Sequence, residues 1–291
     1  MSDFGSPTVR RRRLAAELRR LRDGARLTGD QVAERLGWSP SKISRYELAR
    51  TGLNPADVGK LLDLYGVDGR QRDELLALAR EARLRGWWQA YSDALPEDFL
   101  AFIGLEAEAR SVRQWHAEVV PGLLQTQAYA REVLRGFQKV AIVTPRQIER
   151  RLQARLERQQ LLLREPPPEL HIVLDESVLL RRLGDNATMD AQLRRMVEVS
   201  QLPNVTLQVL PLDRHHPLTL GSFVLLTFGD ERRATLHDVV STEHLTSEQN
   251  LEDEADTYTY GLAFDSLTEV SLGPDESREL IVQTAQRIWP P

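Results

Sequence analysis

The stretch that decides the fold is LTGDQVAERLGWSPSKISRYE, residues 27–47. It holds two short helical patterns separated by a glycine. Thr28 and Gln31 have the spacing of a capping box, in which each side chain satisfies the other residue's free backbone N–H. Ser39 followed by Pro40 places preferred residue types at the N-cap and first position of a helix. The stretch therefore predicts two short helices joined by a tight turn.

Three further helical patterns flank this stretch. Residues 10–26 carry leucines four and three residues apart, as one face of a helix requires. Asn54 followed by proline repeats the cap signature and opens a fourth helix, which Gly66 ends. A fifth helix is predicted over residues 69–91. The sequence therefore predicts an all-α domain over residues 1–91.

Length and composition limit what the whole chain can be. At 291 residues it is long enough for two domains, and 41% hydrophobic with 28% charged residues is typical of a globular protein. The absence of cysteine excludes disulfides, iron-sulfur clusters, thiolate zinc sites and a cysteine nucleophile. No apolar run approaches the roughly 18 to 20 residues of a membrane span, and no signal peptide is apparent. These features predict a cytoplasmic protein with no membrane contact.

Charge is divided unequally along the chain. Residues 1–91 hold 18 of the 38 basic and 12 of the 43 acidic residues, so their net charge is +6 against −11 for residues 92–291. A basic domain joined to an acidic one is what binding of a phosphate backbone by one half would require. A solvated arginine-rich surface would give the same count, so charge alone leaves both interpretations open.

Residues 92–291 predict an α+β domain with a small sheet of about four strands and several helices. Segments rich in β-branched residues and bounded by Pro, Gly or Asn indicate the strands. The predicted strands are 170–175, 205–211, 222–228 and 234–240. The predicted helices are 97–117, 123–136, 145–164, 176–183, 187–200, 249–270 and 275–288.

The third helix carries the strongest chemical signal. A helix that follows a tight turn and opens with Ser-Pro presents its first turns outward, where it can enter the major groove of DNA. Arg45 is the candidate for base readout, since a guanidinium can bridge guanine O6 and N7. Phosphate contacts are expected at the start of the second helix and from Ser39 and Lys42. The full candidate set for double-stranded DNA is Thr28, Gln31, Ser39, Pro40, Ser41, Lys42, Ser44 and Arg45.

With NPADVGKLLDLYGV (residues 54–67), the opening stretch resembles the helix-turn-helix of the XRE class, the phage-repressor-like regulators. The resemblance covers residues 10–68 and includes the turn glycine, the inward Ile43 and Glu47. It implies recognition of an operator. The sequence departs from the family at Gly29, where glutamine is frequent, and after Glu47, where the usual glycine is displaced to Gly52.

The rest of the chain carries a second resemblance. FIGLEAEARSVRQWHAEVVPGLLQTQAYAREVL, IERRLQARLERQQLL, HIVLDESVLLRRLG and LTLGSFVLLTF resemble the large domain of actinobacterial WhiJ-type, antitoxin-like regulators. This resemblance runs from about residue 99 to 288. It implies that a small acidic partner protein or a small-molecule effector acts on this domain.

Enzymatic chemistry has little support in the sequence. A group of possible metal ligands lies at Asp213, His215, His216, His237, Asp238, Glu243 and His244, but adjacent histidines do not readily share one ion and no HExxH spacing occurs. No G-x-S-x-G elbow, G-x-G-x-x-G or P-loop is present. We expect that the protein is not an enzyme and that it has no cofactor and no metal site. The simpler interpretation of the histidines is that they lie in loops and strands near a sheet edge.

Two other features of the second domain allow more than one interpretation. Trp115, Gln125 and Tyr129, beside a Val-Val-Pro-Gly turn, are candidates for contact with a ligand or partner, although aromatics between helices usually form core. The arginines of residues 146–158 could extend a DNA-facing surface. Because glutamates occur among them at 149 and 157, surface ion pairs four residues apart are the favoured interpretation.

The sequence as a whole predicts a sequence-specific transcription regulator that binds DNA as a homodimer and is nucleoid-associated when bound. Its second domain is expected to dimerise and to sense a ligand or partner. The alternative is an antitoxin-like protein that neutralises a small partner protein and autoregulates its operon.

Overall fold

A computed structural model describes residues 7–49, 51–84, 86–141, 143–229, 237–245 and 247–290. These residues form two compact units, the first ending at Gln89 and the second beginning at Ala90. The first unit is all helical and the second combines helices with one sheet. The expected fold class, a helical domain followed by an α+β domain, is confirmed.

The first unit contains five α-helices in its described residues, α1 Pro7–Gly24, α2 Gly29–Leu36, α3 Pro40–Glu47, α4 Pro55–Leu64 and α5 Gly69–Glu81. The leucines of α1, with Val32, Ile43 and Leu62, form one buried cluster, as their helical spacing predicts. The prediction that α5 continues to residue 91 is wrong. A 3₁₀ turn, Trp87–Tyr91, replaces its end, and a Cβ at Gly86 would lie 2.4 Å from the Trp88 ring.

The second unit is built on a six-stranded mixed sheet in the order β3-β2-β1-β4-β5-β6. The strands β1, β2 and β3 are parallel, whereas the pairs β1/β4, β4/β5 and β5/β6 are antiparallel. The strands are β1 Ser111–His116, β2 Glu169–Asp175, β3 Val205–Leu210, β4 Phe223–Thr227, β5 Val239–Glu243 and β6 Glu248–Leu251.

Two of these strands correct the expectation of about four. The predicted helix 97–117 ends at Glu106, and its last residues form β1 at the centre of the sheet. Strand β6 occupies the start of the predicted helix 249–270. Strand pairing outweighs local helical spacing in both segments. For β1 the partners are distant in the chain, whereas β6 pairs with the preceding strand β5. Of the predicted strand 234–240, residues 234–236 lie outside the described residues, and β5 covers only its end.

The two faces of the sheet are packed differently. On one face Trp115, Val173 and Leu225 pack against Phe264 and Leu267 of the helix α11, which spans Glu254–Val270. Because side chains alternate along a strand, Gln114 and His116 belong to the opposite face. The helices of this unit are α6 Glu97–Glu106, α7 Gln127–Gly136, α8 Pro145–Arg158, α9 Ser177–Leu180, α10 Asn186–Val199, α11 Glu254–Val270 and α12 Pro274–Ile288. Among the described residues, no helix combines the length and apolarity that a membrane span needs.

Candidate DNA-binding interface

The start of α2 is fixed by the predicted capping box. The Gln31 backbone N–H donates to Oγ1 of Thr28 over 3.2 Å, and the Thr28 N–H donates to Oε1 of Gln31 over 2.9 Å. Both side chains are exposed but engaged in the cap. The free N–H groups at this helix end are therefore the groups available to a phosphate, although the exposed Asp30 in the same turn would oppose one.

The turn between α2 and α3 depends on Gly37. This residue adopts φ 64° and ψ 34°, a left-handed conformation that costs glycine nothing, and it ends α2. Ser39 is the N-cap residue of α3 and Pro40 its first residue, as predicted. The Ser39 hydroxyl does not cap the helix but lies 3.1 Å from the hydroxyl of Ser41. Both serine side chains are exposed at the start of α3.

The inner side of α3 is anchored to α4. Ile43 and Tyr46 are buried, and the Tyr46 hydroxyl donates to Oδ2 of Asp57 over 2.7 Å. Lys42 Nζ lies 2.8 Å from the same carboxylate oxygen and 3.8 Å from the centre of the Trp38 ring. Lys42, a candidate phosphate contact, is therefore engaged within its own domain.

These contacts perturb two ionisable groups. Burial, together with the hydrogen bond to Asp57, raises the pKa of Tyr46 to about 12. Burial would raise the pKa of Asp57, but the hydrogen bonds from Lys42 and Tyr46 outweigh it and hold that pKa below its usual value. The Asp57 carboxylate is therefore stabilised in its charged form.

The end of α3 is tied to α1. The Arg22 guanidinium donates from Nε and Nη2 to the two carboxylate oxygens of Glu47, at 2.7 and 3.0 Å. Both side chains are largely buried, with 13% and 14% of their surface exposed. Just beyond, Ala49 has φ 53°, a left-handed conformation that is strained for a residue with a side chain. This is where the chain lacks the glycine usual in the family it resembles.

The outer face of α3 is left open. Ser41, Ser44 and Arg45 are exposed, and Leu48, one turn further, keeps 51% of its surface exposed. In the part of the chain that the structure describes, Arg45 makes no ion pair. The sequence analysis did not predict a role for Leu48. Its exposed position beside Ser44 and Arg45, which only the structure shows, makes it part of this face. The face can donate hydrogen bonds and offers one apolar contact.

Comparison with protein families gives one match within each of the two units. Residues 13–75 match a helix-turn-helix domain, which indicates DNA binding. Residues 99–283 match DUF5753, a domain of unknown function. The chain belongs to the DUF5753 family. No curated protein and no solved structure matches the chain.

The three ligand or partner candidates of the DUF5753 domain do not form one site. Trp115 is buried in the cluster beneath α11, and its Nε1 donates to the Leu220 carbonyl over 3.3 Å. Gln125 and Tyr129 are also buried, and both contact the backbone of Val120. Burial raises the pKa of Tyr129. Gln125 additionally accepts a 2.6 Å hydrogen bond from Arg155.

The arginines of α8 contradict the expectation of surface pairs within the helix. Arg150 pairs with Asp93, Arg151 donates to the Ala94 carbonyl, and Arg158 forms a two-pronged pair with the buried Glu106. The two glutamates of α8 have partners elsewhere, at Arg131 and Tyr91. These guanidiniums therefore connect α8 to other segments of the second unit.

The histidine and acidic side chains that the sequence places between residues 213 and 244 make separate contacts in the DUF5753 domain. His216 Nε2 lies 3.2 Å from the Pro211 carbonyl, and its Nδ1 is 3.7 Å from Asp175. Asp238 contacts Thr227, and Glu243 lies opposite Glu248 in the sheet. Within the described ranges, no three histidine or acidic side chains come together as metal ligands would.

Proposed function

We propose that the chain is a sequence-specific DNA-binding transcription regulator of the XRE class that acts in the cytoplasm. The observation that carries the proposal is the division of α3 into two sides. Ile43 and Tyr46 are buried against the domain, whereas Ser41, Ser44 and Arg45 are exposed. A helix presented in this way after a tight turn has the form of a recognition helix in a major groove.

Each exposed residue has a distinct role in this proposal. Arg45 reads a guanine edge, because its guanidinium forms no ion pair with any of the described residues and can donate two parallel hydrogen bonds. Ser39, Ser41 and Ser44, with the free N–H groups of α2 beside Thr28 and Gln31, contact phosphates. Leu48 contacts a thymine methyl group. Lys42, held by Asp57, positions α3 rather than leading the contact with DNA.

The proposed active form is a homodimer. One helix-turn-helix contacts too little DNA for tight and selective binding, so two copies are expected to read half-sites about 34 to 36 Å apart, or a multiple of that spacing. The dimer contacts are assigned to residues 92–291, and residues 1–91 alone are expected to bind DNA weakly as a monomer. A stable dimer of residues 1–91 would contradict this assignment.

In this proposal the DUF5753 domain has a regulatory role and no enzymatic activity. A small-molecule effector or a small acidic partner protein acts on it and changes operator binding by α3. The alternative remains an antitoxin-like protein of the WhiJ type that neutralises its partner and autoregulates its operon. A small acidic coding sequence beside the gene favours the alternative, whereas a metabolic or efflux operon favours effector sensing.

Fluorescence anisotropy tests the function directly. The full chain is titrated with labelled duplex from its own upstream region and with a scrambled duplex of equal composition, in a salt series. We expect the native duplex to bind far more tightly at every salt concentration. Equal binding of both duplexes, with only a steep salt dependence, would reduce the helical unit to a non-specific anchor.

A further inference from the structure

The outward side of α11 carries exposed apolar side chains. The helix contacts the sheet through Phe264 and Leu267. On its other side Tyr258 and Leu262 lie four residues apart, so they are neighbours on the helix surface, and they keep 66% and 51% of their surface exposed. Contiguous exposed apolar groups mark contact surfaces more often than single ones do. The helical period places five residues on this side, which we call the α11 face: Ala255, Tyr258, Leu262, Ser266 and Glu269.

A hollow of about 480 Å³ lies along one side of the α11 face, between the helix and the segment that leads into β4. The Tyr260 ring, which forms part of its wall, packs edge-on against Phe223 with 5.0 Å between the ring centres. This wall is therefore held by the core of the domain. The other apolar side chains that line the hollow are Leu218, Leu220, Leu262 and Ala263. The hollow offers space and an apolar lining to the side chains of a partner.

A second hollow, of about 920 Å³, lies on the other side of Leu262, which borders both. Arg113 and His237 contribute to its lining, but Arg113 is already paired with a carboxylate of α11, 3.3 Å away. Three carboxylates also line this hollow, namely Asp238, Glu254 and Asp265. Since they outnumber the one arginine, this side of the α11 face is acidic.

The helix itself adds to the negative charge. It contains four acidic residues and no lysine, arginine or histidine. Glu254 and Asp256 lie in its first turn, where the helix dipole favours a carboxylate. Glu269 lies in the last turn, where the dipole opposes one. Across the described residues these three side chains form no ion pair. A cationic partner would therefore neutralise charge that the domain leaves uncompensated.

The same charges argue against a second copy of the chain as the occupant. Two copies that meet through one face about a two-fold axis each present the same residues to the other. In an antiparallel crossing centred on Leu262, the first turn of one helix would approach the last turn of its partner. Glu254 would then face the partner copy's glutamate of the last turn, and like charges across an interface disfavour association. A basic partner has the opposite, complementary charge.

We propose that the α11 face binds an amphipathic helix of another protein, with apolar residues three and four positions apart and lysine or arginine beside them. Its apolar side chains enter the smaller hollow and pack on Tyr258 and Leu262, as helices do when they bind in a groove. Its basic side chains pair with Glu254 and Glu269. A small acidic partner would be repelled here and would bind another surface. This binding is independent of DNA binding, and any effect of it on operator affinity rests on the proposed function.

Fluorescence anisotropy with the full chain tests the surface with defined probes. The first probe is a labelled peptide of leucine and lysine, with its leucines three and four residues apart. The second has the same composition with its leucines spread around the helix, and the third has glutamate in place of every lysine. We expect the first peptide to bind most tightly and the glutamate peptide not to bind, because only the first matches both the apolar groove and the acidic rim.

Substitutions at exposed residues locate the binding without disturbing the core. Tyr258→Ser and Leu262→Ser each remove an apolar contact and should weaken binding of the first peptide by about tenfold or more. Glu269→Gln should weaken it less and make it less sensitive to salt. Leu245→Ser, at an apolar residue that is 70% exposed elsewhere in the domain, and Glu198→Gln on α10 are the matched controls and should leave the affinity unchanged.

The assignment is overturned if the first peptide does not bind, or if the Leu262→Ser protein binds it as tightly as the wild type does. Equal binding of the first and second peptides would reduce the surface to a non-specific acidic patch and also overturn it. Light scattering covers the remaining occupant, since a wild-type dimer that Leu262→Ser dissociates would assign the α11 face to a second copy. Binding that depends on Leu262, in a protein that does not distinguish its upstream duplex from a scrambled one, would support the surface and contradict the proposed function.

Discussion

The ammonium of Lys42 and the hydroxyl of Tyr46 converge on a single oxygen of Asp57, at 2.8 and 2.7 Å. Asp57 lies in the first turn of α4, so this carboxylate fixes the orientation of the recognition helix from behind. The Asp57→Ala protein is expected to lose about 1 to 3 kcal/mol of stability, since a partly buried hydroxyl is left unpaired. Urea unfolding measures the loss, with the exposed Asp63→Ala as control.

The Asp57 contacts also predict a dependence on pH. The folded-state pKa of Asp57 lies below its usual value, so the stabilisation is fully present above the unfolded-state pKa of about 3.9. It is lost as the pH falls through the folded-state value. The stability difference between the wild type and Asp57→Asn should therefore be constant near neutrality and narrow below about pH 4. A difference that widens in acid would contradict the assignment.

Arg45→Ala is expected to lower affinity for the native upstream duplex by about 1 to 3 kcal/mol, roughly 5- to 150-fold. Affinity for a scrambled duplex should change little, because a base contact is lost while phosphate contacts remain. Fluorescence anisotropy with both duplexes distinguishes these effects. Arg70→Ala, at an exposed residue paired with Glu74 on α5, is the matched control. An equal loss on both duplexes would make Arg45 a phosphate contact.

Ala49→Gly is expected to stabilise the helical unit by about 0.5 to 1 kcal/mol. The left-handed backbone at this residue costs alanine roughly 1 to 2 kcal/mol, and the greater freedom of glycine in the unfolded chain offsets part of the gain. Ala77→Gly, inside α5, should change stability by a similar amount in the opposite direction. Urea unfolding of both proteins decides whether the strain at Ala49 is real.

Glu106→Gln is expected to destabilise the DUF5753 domain by about 3 to 5 kcal/mol, because it leaves the Arg158 guanidinium buried without its counter-ion. The exposed pair of Arg195 and Glu198 offers a control, and Glu198→Gln should change stability by less than about 1 kcal/mol. Thermal unfolding compares the two proteins. Similar effects would mean that water reaches Arg158 freely.

The sequence predicts the helical unit well because its signals are local. Each of two helix starts is indicated by residues no more than four positions apart, the first by Thr28 and Gln31 and the second by Ser39 and Pro40. All four residues occupy the helix positions that the sequence predicts. The contact between Lys42 and Asp57 joins two helices, so no local pattern could reveal it.

The sheet is less predictable for the same reason. In β1, residues 111–116, Val112 and Trp115 lie three residues apart, which suits a helix as well as a strand. Only pairing with β2 and β4 decides between them.

The central position of β1 has a consequence for synthesis of the protein. Its antiparallel neighbour β4 follows roughly a hundred residues later in the chain, so at about 5 to 20 residues per second the ribosome needs roughly 5 to 20 s to supply it. Until β2 is synthesised both edges of β1 are unpaired, and for the rest of that interval one edge remains unpaired. Edges of this kind recruit other chains. Nascent copies on neighbouring ribosomes are therefore most exposed to misassembly in which β1 of one chain pairs with β4 of another. A cell producing this protein in quantity would benefit from a chaperone that shields β1 until β4 has been synthesised.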